Sequence, residues 1–305
     1  MRATDYARSA PSARSAPPAC HGHVSVRAPV GARRVVLVGN PNVGKSLFFN
    51  AFTGLYVDVS NFPGTTVAVS SGRMGDDVVL DTPGIYGVSS FNDEEVVARD
   101  IVIDADVVLN VVDAVHLERD LFLTLQLIDM GLPLVVALNM IDEAEGRGRR
   151  VDAPELARLL GVPVVPTVAT SRRGFSEAQG ALAEARVGLS DPVLQDRLVG
   201  LLDRVGTRGE ALLVLEGDPF IAERHGVEPL GQRDEIYLGR RQRVNAIVSR
   251  VVERSGGGLD LRTRLGHALL RPLTGIPVLA VVLFILYAFI GVFVAQTVVG
   301  FTEGT

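Results

Sequence analysis

The stretch Gly39-Asn40-Pro41-Asn42-Val43-Gly44-Lys45-Ser46 decides how the chain is read. It fits G-x-x-x-x-G-K-[ST], a loop that holds phosphate when a strand precedes it and a helix follows. Both flanks fit. Val35-Val36-Leu37-Val38 is a short apolar run suited to a buried strand, and Leu47 to Thr53 reads as the start of a helix. Gly39 and Gly44 let the backbone wrap closely around an anion. The loop N–H groups and the helix N-terminus then point at phosphate. The pattern assigns Lys45 to the β- and γ-phosphates and Ser46 to a magnesium ion. Asn40, Pro41, Asn42, Val43 and Leu47 complete the loop.

Outward from the loop, apolar strands alternate with helical stretches. Val35–Val38, Val78–Leu80, Val107–Val112, Leu134–Leu138 and Val164–Pro166 are short and rich in β-branched residues. Asp93–Val102 and Leu117–Met130 lie between them with helical spacing. Such alternation predicts an α/β fold, a mostly parallel sheet covered by helices. Val67–Gly72 and Val78–Leu80 flank Met74-Gly75-Asp76 and read as a hairpin, so one strand should run antiparallel. From Leu189 to Gly258 strand signals vanish. Leu194, Leu198, Leu201, Leu202 and Val205 follow helical spacing, as do Val244, Ile247, Val248 and Val251, which predicts a small all-α domain.

The chemistry-bearing motifs follow strand ends. Asp81-Thr82-Pro83-Gly84 comes after Val78–Leu80, about forty residues beyond the phosphate loop. There a carboxylate can hold magnesium and the Gly84 N–H can sense a γ-phosphate. Alone the tetrapeptide is also a good turn; its place after a phosphate loop gives it weight. Asn139-Met140-Ile141-Asp142 follows Leu134–Leu138. The Asp142 carboxylate can accept from the N1 and N2 groups of guanine, a donor pair that adenine lacks. Ala169-Thr170-Ser171 after Val164–Pro166 is placed to cover guanine O6 with backbone N–H. Asn61-Phe62-Pro63-Gly64-Thr65-Thr66 lies between the first two motifs. Spacing to the next strand favours Thr66 for the magnesium shell, which makes the segment a switch ordered by the γ-phosphate. Four motifs in this order read as a Ras-like P-loop GTPase using GTP, GDP and Mg2+. Ile85 stands where Ras-like enzymes carry a water-orienting glutamine. Charge stabilisation therefore falls to Lys45, magnesium and backbone N–H groups such as that of Gly84.

Composition sets the surroundings. The net charge is −5 over 305 residues, which argues against a nucleic-acid partner. One cysteine excludes a disulfide framework. Residues 1–32 are rich in Ala, Pro, Ser and Arg and predict a disordered tail without a signal sequence. Within it Cys20, His21 and His23 are candidate metal ligands, weighed against a chance cluster with no fourth ligand near. Ile276 to Val299 holds 24 residues without a charged side chain, longer than the ~20 needed to cross a bilayer. The expected organisation is a G domain over 33–188, a helical spacer over 189–258, an amphipathic linker over 259–275 and a transmembrane helix over 276–299. Membrane lipid is then a partner. Arg262, Arg264 and Arg271 before the span place the preceding domains in the cytosol.

Gly39–Ser46, Asn61–Thr66, Asp81–Gly84 and Asn139–Asp142 resemble the signature of translation-factor-related small GTPases. Asn61 to Val67, Asp93 to Asp100 and Asn110-Val111-Val112-Asp113-Ala114 resemble bacterial ferrous iron transport protein B more narrowly. The likeness runs on through Leu117-Glu118-Arg119 to Leu127, and covers about Arg33 to Val187 strongly. The resemblance implies a cytosolic GTPase and helical spacer joined to a membrane Fe(II) importer of the bacterial inner membrane. It implies small accessory proteins of the same transport system as partners, and further membrane segments or a second chain to form the ion path. It also implies that Asn42 helps coordinate a K+ ion beside the phosphates, against a loop-internal hydrogen bond as its bland role, so slow, potassium-stimulated hydrolysis is expected. Leu47 and Phe62 depart from the family's usual Thr and Trp. The chain ends six residues after the apolar run, where family members continue with more spans, so a fragment, a truncated product or half of a split transporter is expected. Two rivals remain: a GTP/GDP sensor without hydrolysis, kept open by Ile85, and a ribosome-assembly GTPase, disfavoured by the acidic balance. Leu117-Glu118-Arg119 is left between a solvated helix start and a contact with the switch or helical domain.

Overall fold

A computed structural model of the chain describes residues 31–54, 57–61, 68–89, 93–254, 266 and 269–290. The chain divides into two compact units, Met1–Ile141 with Val151–Val252 and Asp142–Arg150 with Glu253–Thr305.

The first unit is built on a seven-stranded sheet. Its strands are β1 (Arg34–Val38), β2 (Val57–Asn61), β3 (Ala68–Met74), β4 (Asp77–Asp81), β5 (Val107–Asp113), β6 (Leu134–Asn139) and, after a short β7 (Arg149–Val151) outside this sheet, β8 (Val164–Pro166). Their order is β2-β3-β4-β1-β5-β6-β8. β3 pairs antiparallel with both neighbours while the other pairings are parallel, so one strand alone is reversed, as the hairpin signal predicted. The register sets Leu37 beside Asp81, Val38 beside Asn110 and Asp113 beside Asn139. The last residues of four strands therefore share one edge. β1 sits where the strand order reverses, the usual place for a crevice in an open α/β sheet.

Alternation along the strands explains the two covered faces. Val35 and Leu37, Val107, Leu109 and Val111, and Val135 and Ala137 point to a core shared with Phe48, Phe49 and Phe52 of α1 (Lys45–Thr53). Phe175 stacks on Phe48 with centroids 4.2 Å apart. The other residues of β5 and β6 face α3 (Leu117–Asp129), with α2 (Asp93–Ile103) against β1. α4 (Ile141–Gly146) follows β6; α5 (Ala153–Leu160) packs on β8, and α6 (Phe175–Ala181) on β6, β8 and α1. α1 begins at Lys45, two residues earlier than its apolar spacing indicated.

Four helices fill 192–251: α7 (Pro192–Val205), α8 (Arg208–Glu216), α9 (Pro219–Arg224) and α10 (Arg233–Val251). Asp191, Thr207 and Asp218 cap the first three through side-chain oxygens, and proline occupies the first turn of α7 and α9. α10 starts eight residues before the stretch that spacing alone marked, and its first turns already bury Ile236. A short strand β9 (Val252–Arg254) follows where only helix was expected. α10 lies along α3. There the buried Arg240 pairs with Asp129 (3.2 Å) and Glu216 (2.9 Å).

In the second unit the apolar helix Pro272–Tyr287 begins four residues ahead of the predicted span. Residues Pro272–Ile290 are long and apolar enough to cross a membrane, with none of that window buried. Residues 1–30, 62–67 and 291–305 lie outside the described residues, and with them Cys20, His21, His23 and Thr66.

Candidate functional site

The phosphate loop leaves β1 at Gly39 and enters α1 at Lys45. The Lys45 ammonium is 7% exposed and donates to the carbonyls of Gly39 (3.0 Å) and Asn40 (3.1 Å). Burial lowers its pKa, while the charges of Asp81 and Asp120 oppose the shift. Two carbonyls are weak compensation for a buried cation, so this position favours an anion brought to it. Gly44 sits at φ +96°, and a Cβ there would stand 2.8 Å from Asn139 Nδ2. Val43 turns its side chain into the core, leaving only its backbone for the loop's inner surface. Asn42 is exposed, with left-handed backbone at φ 64°. Leu47 is 45% exposed.

Asp81 ends β4, beside the loop. The Ser46 hydroxyl donates to Asp81 Oδ2 at 3.0 Å, and Asp81 Oδ1 is buried without a hydrogen-bond partner. Burial raises the Asp81 pKa, against the Ser46 hydrogen bond and the Lys45 charge. A hydroxyl and a carboxylate with an unused oxygen are hard donors of the kind magnesium takes. Thr82 is not turned toward the site: its hydroxyl donates to Leu37 O at 2.7 Å and fixes the turn. Pro83 and Gly84 then pass the loop so closely that a Cβ on Gly84 would lie 2.8 Å from Pro41 Cα. Ile85 is 1% exposed and its N–H donates to Gly39 O at 3.2 Å, so its side chain faces away from any substrate.

Asn139 acts as a strut. Its Nδ2 donates to Val43 O (2.9 Å) and its Oδ1 accepts from Ala169 N (2.9 Å), which joins the phosphate loop to the β8 exit. The Ala169 N–H thus donates to Asn139, and the next residue, Thr170, is exposed. Met140 has φ 60°, a left-handed kink that turns the chain out of β6. Asp142 follows in the first turn of α4, within the second unit.

Sequence reasoning missed a buried polar cluster behind the loop. The Asn40 side chain, 1% exposed, donates to Asp120 Oδ1 of α3 at 2.7 Å. Asp120 Oδ2 accepts from Asp113 N (2.9 Å), and Arg119 Nε donates to Asp120 Oδ1 (2.7 Å). Asp113 in turn binds Val115 N and His116 Nδ1. Of the undecided Leu117-Glu118-Arg119 stretch, Leu117 is core, Glu118 offers its carbonyl to Arg241 of α10, and Arg119 holds Asp120. The only sequence signal was Asp at 113 and 120, seven apart across a strand-to-helix turn. Among the described residues no group of three or more His, Cys, Asp or Glu is placed to hold a metal.

Comparison with known proteins matches this arrangement to one family. The family profile for ferrous iron transport protein B aligns with residues 33–182. The chain is 44% identical over 162 residues to an Fe(2+) transport protein A/Fe(2+) transporter FeoB fusion protein of Porphyromonas gingivalis, covering 51% of this chain and 19% of that protein. It is 31% identical over 290 residues to the Fe(2+) transporter FeoB of Legionella pneumophila, covering 83% of this chain and 38% of the relative. The chain thus spans well under half the length of these relatives. The solved cytosolic domain of L. pneumophila FeoB superposes with a TM-score of 0.65 at 33% identity, over 72% of this chain and 99% of that one. The cytosolic domain of T. maritima FeoB in a GDP form gives 0.64 at 30%, over 74% and 100%. The chain covers nearly the whole of both domains at 30% identity or more, and on that ground it belongs to the ferrous iron transport protein B family.

Proposed function

We propose that this chain binds guanine nucleotide and hydrolyses GTP as the regulatory or driving part of a membrane Fe(II) import protein. The observation that carries the reading is the meeting of Lys45, Ser46 and Asp81 at the strand ends, with Ser46 Oγ 3.0 Å from Asp81 Oδ2 and Asp81 Oδ1 unpartnered. Relatives of known structure are described as GDP-bound, which supports the same ligand here.

Each residue then has a role. The loop N–H groups from Asn42 to Ser46 cradle the phosphates at the start of α1. Lys45 moves its charge onto the β- and γ-phosphates and stabilises the negative charge of the leaving oxygens. Ser46 and Asp81, with Thr66 from the switch segment, would hold Mg2+, which when bound neutralises phosphate charge. Gly84 brings its N–H up to the γ-phosphate, a position only glycine allows beside Pro41. Asp142 is the candidate acceptor for guanine N1 and N2. Asn42, exposed on the loop, is the candidate ligand for K+ beside the phosphates. Its backbone is left-handed, at φ 64°, and the residue is exposed.

Ile85 cannot orient water, so basal turnover is slow and rests on Lys45 and the backbone. Its burial also favours a second reading, a GTP/GDP sensor that does not hydrolyse. Phosphate release from GTP in potassium against sodium salts separates the two: no release in either salt overturns the enzymatic reading. If Asn42→Asp leaves the potassium effect intact, the Asn42 assignment falls.

The apolar helix Pro272–Ile290 supports residence in the bacterial inner membrane, in contact with lipid, with the nucleotide domain in the cytosol. Among the described residues one helix is long and apolar enough to span a bilayer, and a single helix cannot enclose an ion path, so other transporter segments or a second chain are the candidate partners. The P. gingivalis fusion protein supports a small accessory partner of the same system.

A further inference from the structure

Behind the phosphate loop, Asp120 is 2% exposed, and neither the phosphate nor the metal role assigned above uses it. We propose that Asp120 is a positioning residue that sets the phosphate loop for nucleotide through the side chain of Asn40; this rests on the nucleotide-binding reading above. Asn40 Nδ2 donates to Asp120 Oδ1 at 2.7 Å, and the Asn40 carbonyl, on the same residue, accepts from Lys45 Nζ at 3.1 Å. One residue therefore links the α3 carboxylate to the lysine that meets phosphate.

Three further observations agree. Asn40 Oδ1 is buried with no partner, so the amide gains its hydrogen bond in one orientation only, with its N–H2 toward Asp120. Asp120 is itself held from two sides, by Asp113 N at 2.9 Å and Arg119 Nε at 2.7 Å, so it is a fixed post and not a mobile side chain. Its charge acts on Lys45 in the direction that keeps the ammonium protonated. A second rung runs alongside: Thr124 of α3 donates to Asn110 Oδ1 (2.6 Å), and Asn110 Nδ2 donates to Val38 O (3.2 Å). The end of β1 and the start of the loop are thus both tied to α3, and only the Asn40 rung bears on Lys45.

The test is a double-mutant cycle on the full chain in detergent, with Asn40→Ala, Asp120→Asn and the two combined. Affinity for a fluorescent GDP, steady-state kcat and KM for GTP, and the melting temperature are read for each. Breaking a hydrogen bond to a charged group gives a loss of affinity of roughly tenfold in each single variant. Because both act through one contact, the double variant should lose no more than the worse single one. KM should rise more than kcat falls. A double variant whose loss is the product of the two single losses overturns the proposal, as does Asn40→Ala with unchanged affinity. That single variant leaves Asp120 its bonds to Asp113 and Arg119, so it decides the matter if Asp120→Asn does not fold. Unchanged affinity in the variants beside a wild-type chain that binds GDP defeats only the positioning role. A wild-type chain that binds no guanine nucleotide defeats both.

Discussion

At the strand ends Lys45 is held by the carbonyls of Gly39 and Asn40, whereas under α10 Arg240 is held by two carboxylates. Both cations are buried. The first region leaves valences open: Asp81 Oδ1 and Asn40 Oδ1 have no partner, and burial pushes the Asp81 and Asp120 carboxyls above their usual range. The second pairs its charges, although Arg240 Nη1 is likewise buried without a hydrogen-bond partner. Asp129 takes Arg240 and Arg243, Glu216 takes Arg240, Gln126 and Ser89, and the Arg240 guanidinium lies 5.2 Å from the Phe122 ring centroid. A buried cation held only by carbonyls, beside an unpartnered carboxylate oxygen, marks where a charged ligand belongs; one held by two carboxylates marks where helices are locked together.

The contrast can be broken most severely at Arg240. Removing one partner of a buried ion pair strands the others, so Arg240→Ala should cost about 4 kcal/mol of stability. Calorimetric or denaturant unfolding measures it, and nucleotide affinity of the folded protein should change little. Lys45→Ala should do the reverse. We expect GTP turnover to fall by about 10²–10³-fold, with a melting temperature no lower than that of the parent, because a poorly compensated buried cation has been removed.

Gly84→Ala sharpens the site's inner geometry. Its methyl group meets the Pro41 backbone at 2.8 Å, and the loops must part. Preference for GTP over GDP should shrink by roughly tenfold, measured by competitive titration, with GDP affinity retained.

The smallest effect concerns pH. Burial raises the pKa of Glu210, but hydrogen bonds from Thr207, His225 and Arg224 outweigh it and leave the group below its usual range. Its stabilisation is therefore present above the unfolded value of about 4.3 and is lost as pH falls through the folded value. Asp120 has the opposite sign: its folded pKa is raised, so its contribution is full below the unfolded value of about 3.9 and is lost as pH rises through the folded one. Glu210→Gln should cost about 1 kcal/mol at neutral pH and nothing at pH values below its folded pKa. Melting curves across the acid limb check this.

Much of the shared strand-end edge was legible because a phosphate-loop pattern needs particular residues at particular spacings. Gly44 and Gly84 stand where a Cβ collides, and the Leu37–Asp81 register follows from two apolar runs of similar length. The struts were not legible. Asn139 looked like a base contact, and only the fold shows it joining Val43 to Ala169. Asn40 and Asp120 are eighty positions apart, and no local pattern announces a contact at that range. β2 was missed because Val57-Asp58-Val59-Ser60-Asn61 is short and half polar, and its place is set by pairing with β3. α8 was missed because it is buried on all sides and so has no apolar stripe to find.

The central claim is that the open valences around Lys45 and Asp81 serve a guanine nucleotide with magnesium. Calorimetric titration of the purified chain with GTP, GDP and ATP, each with and without Mg2+, tests it most directly. We expect GTP and GDP to bind, Mg2+ to tighten GTP, and Asp81→Asn to abolish the Mg2+ effect, with no binding of ATP. Equal binding of ATP and GTP, or binding untouched by Lys45→Ala, would contradict it.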